Sequence, residues 1–203
     1  MSTADRPLKR SRSPRNDAIR NRAKLLEAAG EMLKSEPEKV TVPLVAERAG
    51  LSPATAYRYF SSREDLIRGY VHGTIVELRN FSHDCPKTGL ALFEDVVTER
   101  IRLVRITGAA TIQVRSRRGF LTRLRDQDEV MLTVRDIWER PLRAVMRHFR
   151  VDDAHFDHAL FLYNLMFDPR EILDLIDSGL AESDVAARLI PAYYGALRGW
   201  TGA

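Results

Sequence analysis

Apolar residues recur every three or four positions along most of the chain, and no stretch alternates apolar and polar residues long enough to predict a β-strand. Prolines, glycines and small polar clusters separate the runs, as is usual at turns. The pattern predicts helices over residues 15–35, 41–49, 53–59, 63–81, 90–107, 109–124 (interrupted around Gly119), 129–149, 153–167, 170–177 and 183–200. The predicted inward face of the first helix is Ile19, Ala23, Leu26, Ala29 or Gly30, and Leu33. Pro141 is predicted to kink its helix. The predicted fold class is all-α.

The segment from Thr41 to Phe60 carries the strongest local signals. Thr41 and Ser52 have hydroxyls that can accept a hydrogen bond from a free backbone N–H at a helix start. Pro53 suits a first helical position because it has no N–H to leave unpaired. Gly50 can adopt the positive φ that ends one helix and turns the chain into the next. Two short helices joined in this way predict a helix-turn-helix, which is a DNA-binding element.

The composition is that of an ordinary globular protein, with 44% apolar and 30% charged residues among 203. No apolar run can span a bilayer and no apolar segment follows the basic N-terminus, so we expect a cytoplasmic protein with no membrane partner. Cys85 is the only cysteine, which excludes an intrachain disulfide and a cysteine-pair metal site. Because the chain has no glycine-rich phosphate loop and no nucleophile motif, neither enzymatic activity nor a cofactor is predicted.

Positive charge is concentrated at the N-terminus. The basic residues there are Arg6, Lys9, Arg10, Arg12, Arg15, Arg20, Arg22 and Lys24, opposed only by Asp5 and Asp17. Residues 1–14 are rich in Ser, Arg and Pro, and are predicted to form a disordered basic leader. Such a leader is either a solvated tail or a segment that binds a polyanion such as DNA.

The run T-V-x-x-V-A-x-x-A-G-L-S-x-x-T-x-Y-x-Y-F-x-S-R-E, from Thr41 to Glu64, resembles the TetR family of bacterial transcription regulators. The preceding R-A-K-L-L-E-A-A-G-E-M-L is similar to that family's first helix. The resemblance implies a three-helix DNA-binding domain over 15–81 and a helical regulatory and dimerisation domain over 82–203. It also implies a ligand-responsive repressor that binds a pseudo-palindromic double-stranded operator as a homodimer.

Residue by residue, the resemblance places the 53–59 helix in the major groove. The DNA-binding residues that it implies are Thr41, Ser52, Pro53, Ala54, Thr55, Tyr57, Arg58, Tyr59 and Arg63. Arg58 is the chief candidate for base recognition, because a guanidinium can donate two hydrogen bonds to guanine. Thr41, both tyrosines and Arg63 match positions that contact phosphate, and Phe60 is expected in the core.

Two positions depart from the family pattern. Pro43 stands where many members have a polar or basic residue that contacts DNA, and a proline ring offers no donor. Ala56 stands where a bulkier apolar residue is usual, so the packing under the recognition helix is expected to be looser.

The helices predicted over residues 153–167 and 183–200 carry more large apolar residues than a single buried stripe needs. The predicted dimer-interface residues are Phe156, Leu160, Phe161, Tyr163, Phe167, Leu189, Tyr193, Leu197 and Trp200. This assignment agrees with the family, in which the last two long helices form the four-helix bundle of the dimer. The alternative is that both helices belong to the core of the monomer.

A small apolar or aromatic effector is the expected ligand of the second domain. The residues predicted to line its cavity are Phe93, Phe120, Met131, Ile137, Trp138 and Met146, which would equally suit a filled core. In the family, ligand entry shifts the helix that links the two domains, here residues 63–81, and separates the two recognition helices. Two alternatives stay open: an architectural or global DNA binder that senses no ligand, and a helical protein-interaction module.

One cluster has metal-type residues, namely Asp152, Asp153, His155, Asp157 and His158. The two histidines are three positions apart on a predicted helix, a spacing that can bind a transition metal. Aspartates are also favoured at helix N-termini, and histidines are common at surfaces. We therefore predict no metal site.

Overall fold

The computed structural model describes residues 14–202. Within that range the chain forms ten α-helices and two short 3₁₀ helices, without a β-strand. The α-helices are α1 (Pro14–Ser35), α2 (Val42–Arg48), α3 (Pro53–Tyr57), α4 (Arg63–Asp84), α5 (Gly89–Gln113), α6 (Phe120–Arg125), α7 (Glu129–Phe149), α8 (Phe156–Met166), α9 (Pro169–Asp177) and α10 (Glu182–Thr201). The 3₁₀ helices are Pro37–Lys39 and Asp153–His155. The predicted all-α class is confirmed. The predicted leader lies outside the described residues, except for Pro14, which begins α1.

The described helices fall into two compact units, the first ending at Leu66 and the second beginning at Ile67. The boundary between them lies inside α4, which is one continuous helix. The sequence predicts a domain boundary after residue 81, which is near the C-terminal end of α4, whereas the two compact units divide near its start. The assignment of residues 15–81 and 82–203 to separate domains stays a prediction.

The first unit has a small core made by α1, α2 and α3. Val42, Val45 and Ala46 of α2 are buried and Ala49 is partly buried, and Phe60 is buried as expected. The predicted face of α1 is wrong at its start, because Ile19 is 63% exposed and Ala23 is also exposed. The residues of α1 that are buried are Leu25, Ala28, Ala29, Gly30, Met32 and Leu33. The buried stripe of α1 thus begins about two turns later than the spacing of apolar residues predicts.

The core of the second unit is built around aromatic rings. Phe93 of α5, Trp138 of α7 and Tyr193 of α10 are each at most 2% exposed. The Phe93 ring stacks on Tyr193 with centroids 5.1 Å apart and meets Trp138 edge-on at 6.0 Å. Tyr163 of α8 lies with its ring centroid 3.8 Å from that of Trp138 and stacks on Phe167 at 4.9 Å. Four helices therefore share one aromatic core.

Helix α5 is unbroken from Gly89 to Gln113, whereas the sequence predicts a break near residue 108. A Cβ added at Gly108 would lie 2.9 Å from Cδ1 of Leu173 on α9 and 3.1 Å from Cγ1 of Val104. Gly108 therefore permits close packing of α9 against α5 and does not end the helix. The prediction was wrong because glycine inside a helical pattern serves either purpose, and spacing alone does not separate them.

Buried hydrogen bonds join the end of α4 to α7. Pro141 has no backbone N–H, so the carbonyl of Ile137, four residues earlier, lacks its helical donor. The Ser82 hydroxyl, 1% exposed as a residue, donates to that carbonyl at 2.7 Å. The Arg140 guanidinium donates to the carbonyls of Ser82 and Cys85 at 2.8 and 2.6 Å. These carbonyls are at the end of α4, where no later helical N–H can donate to them. We call these contacts the α4–α7 clamp.

One ion pair and one histidine contact, both partly exposed, flank the α4–α7 clamp. Arg79 pairs with Asp136, and Nε2 of His83 lies 3.4 Å from the same carboxylate. Because these side chains are between 41% and 47% exposed, their contribution to stability is small. Helix α7 continues through Pro141, and the kink there stays a prediction.

Ser82→Ala is expected to lower the free energy of unfolding by about 1–3 kcal/mol, because it leaves the Ile137 carbonyl buried without a donor. In a Pro141→Ala background the same change is expected to cost less, since the alanine restores a backbone N–H that can donate to that carbonyl. Urea denaturation of the four proteins of this double-mutant cycle measures the difference. An equal cost in both backgrounds contradicts the role given to Pro141.

Candidate DNA-binding site

The turn between α2 and α3 has the geometry predicted from its residues. Oγ1 of Thr41 accepts a hydrogen bond from the N–H of Leu44 at 3.4 Å and caps α2. Gly50 has a φ of 68°. Its N–H donates to the Glu47 carbonyl at 3.0 Å, and the next N–H, of Leu51, donates to the Ala46 carbonyl at 2.9 Å. This pair of bonds is a Schellman motif, which satisfies the last carbonyls of α2 and directs the chain into α3.

Helix α3 begins as the sequence predicts, at Ser52 and Pro53. The Ser52 Oγ accepts a hydrogen bond from the N–H of Thr55 at 3.2 Å and lies 2.9 Å from the Thr55 hydroxyl. The helix ends at Tyr57, two residues before its predicted end, and Arg58 is the C-cap residue. The cap at Ser52 therefore fixes the start of a helix of little more than one turn.

The two faces of α3 differ sharply in exposure. Ala56 is 0% exposed, and its carbonyl accepts the N–H groups of Tyr59 and Phe60 at 2.9 Å each, which draws Phe60 into the core. The predicted DNA-binding residues on the other side are accessible: Pro53, Ala54, Tyr57 and Arg58 are exposed, and Thr55 and Tyr59 are partly exposed. Tyr57 is 51% exposed, which is unusual for a large aromatic side chain without a partner surface. Whether Ala56 loosens the packing beneath α3 stays a prediction.

Charge on this face comes chiefly from Arg58. Within residues 14–202, Arg58 forms no ion pair, so its guanidinium donors face solvent. Arg48 of α2, by contrast, pairs with Glu31 at 3.0 Å. The Arg58 guanidinium, the hydroxyls of Tyr57 and Tyr59 and the Thr41 hydroxyl are the types of hydrogen-bond donor that suit phosphate oxygens and guanine edges.

Arg63 has structural contacts that the sequence does not predict. Its Nε donates to the Val40 carbonyl at 3.0 Å, and its Nη2 donates to the Pro37 carbonyl at 3.2 Å. These bonds tie the start of α4 to the 3₁₀ helix that follows α1. The predicted contact of Arg63 with phosphate stays a prediction. No local sequence signal reveals such contacts, because the acceptors are more than twenty residues away.

Residues 25–70 match the model of the family described as bacterial regulatory proteins, tetR family. This match assigns residues 25–70 to the TetR family, which is a family of bacterial regulatory proteins. The chain is accordingly a DNA-binding transcription regulator. The likeness in fold extends over most of the chain, which aligns with the fatty acid degradation regulator FadR from Bacillus halodurans at 12% identity and a TM-score of 0.54, covering 93% of this chain and 99% of that one.

A second solved structure supports the same TetR-like fold. It is described as a TetR-family transcriptional regulator from Mesorhizobium loti, with 14% identity, a TM-score of 0.52, and coverage of 90% of this chain and 96% of that one. At these identities the likeness establishes the fold alone. No curated protein sequence matches the chain.

The residues predicted to line an effector cavity belong to the core of the second unit. Phe93, Met131, Ile137, Trp138 and Met146 are buried, and Phe120 is partly buried against them. They lie in one hydrophobic cluster. Their role as ligand contacts stays a prediction.

The predicted dimer-interface residues divide into two sets. Six of them are buried within the chain's own core and are not at its surface: Phe156, Leu160, Tyr163, Phe167, Tyr193 and Leu197. They are buried because α8 and α10 pack against each other and against other helices of the unit. Phe161 and Leu189 are partly exposed, and Trp200 is 54% exposed.

An exposed apolar strip remains on α8 and α10. His158, Phe161 and Leu165 lie at positions i, i+3 and i+7 of α8, and so on one face. The Trp200 ring lies 6.0 Å from His158 and 6.2 Å from Phe161. Leu165, 58% exposed, is missed by the sequence interpretation, although its spacing from Phe161 predicts it. We call these four residues the α8–α10 patch.

The acidic and histidine cluster has ordinary structural contacts. Asp152 caps the 3₁₀ helix through the N–H of Ala154 at 2.8 Å. Asp153 pairs with Arg143 and Asp157 with Arg135, each at 3.0 Å. Among residues 14–202, no three or more His, Cys, Asp or Glu side chains are grouped so that they could hold a metal ion. In the same range, no helix is both long and apolar enough to cross a bilayer.

Arg63→Ala is expected to lower the free energy of unfolding by about 1–3 kcal/mol, because two backbone carbonyls lose a charged donor. Arg58→Ala removes the same type of side chain from an exposed position and is expected to change stability by less than about 0.5 kcal/mol. Urea denaturation followed by circular dichroism compares the two. If both variants unfold at the same urea concentration, the contacts of Arg63 do not stabilise the fold.

Proposed function

We propose that this TetR-family regulator is a ligand-responsive repressor that binds a pseudo-palindromic operator as a two-fold dimer. The observation that carries the DNA-binding part is the exposed face of α3, which is oriented by the cap at Ser52. That helix enters the major groove, as the recognition helix of a helix-turn-helix does. Pro53 and Ala54 approach the bases closely because they are small and uncharged.

The residues of the site divide into base and phosphate contacts. Arg58 donates two hydrogen bonds to a guanine, and Thr55 offers a methyl group or a hydroxyl to a base edge. Thr41, Tyr57 and Tyr59 donate to phosphate oxygens, which positions the helix without reading sequence. Since Arg63 already binds two backbone carbonyls, its main effect on DNA affinity is to hold the N-terminal turns of α4 in place.

Arg58→Ala is expected to reduce affinity for the operator about tenfold or more, because it removes a bidentate base contact. Affinity for random duplex of the same length is expected to fall much less. The operator is obtained by selecting bound fragments of the host genome, and fluorescence anisotropy at one fixed salt concentration then gives both affinities.

The matched control is Arg48→Ala, which removes one exposed arginine from α2. It is expected to lower the affinity for the operator and for the random duplex by similar factors, both smaller than the loss that Arg58→Ala causes at the operator. Equal discrimination by wild type and Arg58→Ala would remove Arg58 from the base-reading residues.

Dimerisation places two short recognition helices over paired half-sites, which one helix of five residues is too short to specify alone. The α8–α10 patch is the dimer surface that we propose. It is apolar, it lies on the two helices that the family uses for this purpose, and most of its area is exposed in the single chain. A second copy related by two-fold symmetry would pack Trp200 and Leu165 against the same residues of its partner.

A double substitution, Leu165→Glu with Trp200→Glu, is expected to convert the dimer into a monomer, because it puts charges at the centre of an apolar contact. Light scattering at micromolar concentration measures the mass. The control is Leu132→Glu, since Leu132 is 38% exposed on α7 and outside the patch. A wild-type chain that is itself monomeric contradicts the dimer, and a dimeric double variant contradicts the assignment of the patch.

Ligand response requires a path from the second unit to the DNA-binding helices. The α4–α7 clamp supports such a path, because it attaches the C-terminal end of α4 to the helix that carries Trp138. An effector that stabilises a different position of α7 would shift α4 along with it. This is a population shift, driven by the difference in effector affinity between the two states.

A further inference from the structure

The first part of α1 extends beyond the core of the first unit. Buried residues of this helix begin at Leu25, whereas residues 15–24 are all exposed or only partly buried. The match to the family model also begins at residue 25. We call residues 14–24 the α1 extension. It is about three turns of helix that neither the core of the unit nor the family match accounts for.

The α1 extension has a positive face that is turned away from the core. Two adjacent rows of residues, each spaced at i, i+4 and i+8, are exposed throughout. They are Arg15, Ile19 and Ala23 in one row, and Asn16, Arg20 and Lys24 in the other. This face carries three cations and no acidic residue, because Asp17 is on the other side of the helix and partly buried. Among residues 14–202, these three cations form no ion pair.

Positive charge is concentrated in this part of the chain. Residues 14–24 have four basic side chains and one acidic side chain, a net charge of +3, whereas residues 25–203 sum to −2. The basic face is therefore not a sample of a uniformly basic surface. A partner that carries negative charge is attracted to this end of α1 and not to the remainder of the described chain.

The cations of the α1 extension are at the unfavourable end of their helix. Aligned peptide dipoles give a helix N-terminus partial positive charge, so acidic side chains are favoured there and basic ones are not. Helix α4 follows this rule, with Glu64 and Asp65 in its first turn. In α1, by contrast, Arg15 is the second helical residue, and Arg20 and Lys24 follow within three turns. These charges do not stabilise the helix, and an external anion would relieve their repulsion.

Arg22 locates the α1 extension relative to the helix-turn-helix. Its guanidinium carbon lies 5.4 Å from the centroid of the Phe60 ring. Phe60 follows Tyr59 directly and is two residues after Arg58, so this contact is at the end of the recognition segment. A rise of 1.5 Å per residue puts Pro14 about 12 Å farther along the α1 axis than Arg22. The extension thus projects from the unit that contains α3, beginning beside the segment that we expect to contact DNA.

We propose that the α1 extension is a second DNA-binding element, which contacts backbone phosphates through Arg15, Arg20 and Lys24. The inference rests on the proposed binding of duplex DNA by α3, and it adds a site outside the helix-turn-helix. Exposed arginine and lysine side chains bind phosphate without regard to base sequence. In the homeodomain, which is also a three-helix form of the helix-turn-helix, the arm before the first helix likewise reaches the DNA.

The main experiment measures how DNA affinity depends on salt. A triple variant, Arg15→Gln with Arg20→Gln and Lys24→Gln, removes the three cations and keeps side chains of similar helix propensity. Fluorescence anisotropy at several potassium chloride concentrations gives the affinity of the full chain for the selected operator and for a random duplex of equal length. Each phosphate contact contributes about 0.9 to the slope of log affinity against log salt concentration.

The triple variant is expected to have a slope shallower by about 2 or more with both duplexes, since each bound protomer loses its contacts. At the lowest salt concentration, its affinity for the operator and for the random duplex is expected to fall by the same factor, about tenfold or more. The proposal is overturned if the triple variant keeps the wild-type slope. A loss at the operator alone would assign these residues to base recognition and would also overturn it.

A second triple variant is the control for loss of net charge. It replaces three exposed arginines of the second unit with glutamine, namely Arg147, Arg150 and Arg198. The change in net charge is the same, and the slope is expected to stay close to that of the wild type. If this control lowers the slope as much as the α1 variant does, general electrostatic attraction explains the effect and no contact by the α1 extension remains.

A chemical cleavage experiment tests the position of the α1 extension on DNA. Ile19→Cys, in a Cys85→Ala background, is labelled with an iron–EDTA group that cleaves DNA strands close to it. We expect cleavage within or directly beside each half-site of the operator. The same label on Arg147→Cys is expected to give no localised cleavage. Absence of cleavage from position 19, or the same pattern from both positions, would overturn the proposal.

Melting without DNA tests whether the three cations serve the fold instead. Because they oppose the helix dipole, their removal in the α1 triple variant is expected to leave the melting temperature unchanged or to raise it. Calorimetry of the wild type and the variant measures this. A clear fall in melting temperature would assign the side chains to the stability of the first unit and would count against a role in binding.

The proposed function is judged separately, from the wild-type protein. A wild type that prefers the operator to the random duplex supports sequence-specific binding, whatever the α1 triple variant does. If that preference is present and the triple variant retains the wild-type slope, the proposed function stands and the α1 extension is rejected as a DNA-binding element. If the wild type binds neither duplex, the proposed function itself has failed.

Discussion

The hydrogen bond from Ser82 to the Ile137 carbonyl determines how the end of α4 is held, and it exists because Pro141 leaves that carbonyl unbonded. A proline inside a helix is usually unfavourable, since one backbone bond is lost. Here the free carbonyl accepts a hydrogen bond from the neighbouring helix α4. Arg140, one residue before the proline, donates two hydrogen bonds to carbonyls at the end of α4. Because Trp138 follows Ile137 directly, the same turn of α7 belongs both to the aromatic core and to the attachment of α4.

The DNA-binding unit was largely predictable because its structure depends on signals that are local in sequence. The hydroxyls at Thr41 and Ser52, the proline after Ser52 and the glycine at position 50 each satisfy or free a backbone group within four residues. The exposed side of α3 follows from the same spacing. Arg63 was less predictable, since the carbonyls it binds lie near α1 and only the folded chain brings them together.

In the second unit, sequence patterns predict the helices but not which surfaces cover their apolar residues. A helix that is apolar on several faces must be buried, but the pattern does not say whether its own chain or another copy covers it. Tyr163 and Tyr193 thus belong to the core and not to the surface, while Leu165, which the prediction omits, is exposed. The pattern around Gly108 predicts a helix end, and this prediction is wrong. The contact that explains the glycine involves Leu173, which is far away in sequence and which the local pattern therefore does not reveal. In α1, apolar residues before Leu25 continue the helical spacing without being covered.

Cys85 gives the α4–α7 clamp an intrinsic chemical reporter. It is the single cysteine of the chain, it is 7% exposed, and its own carbonyl is one of those that Arg140 binds. A thiol reagent therefore reaches the sulfur mainly in molecules whose α4 end has come away from α7. The speed of alkylation in the native protein then reports the equilibrium of that local opening, without any added label.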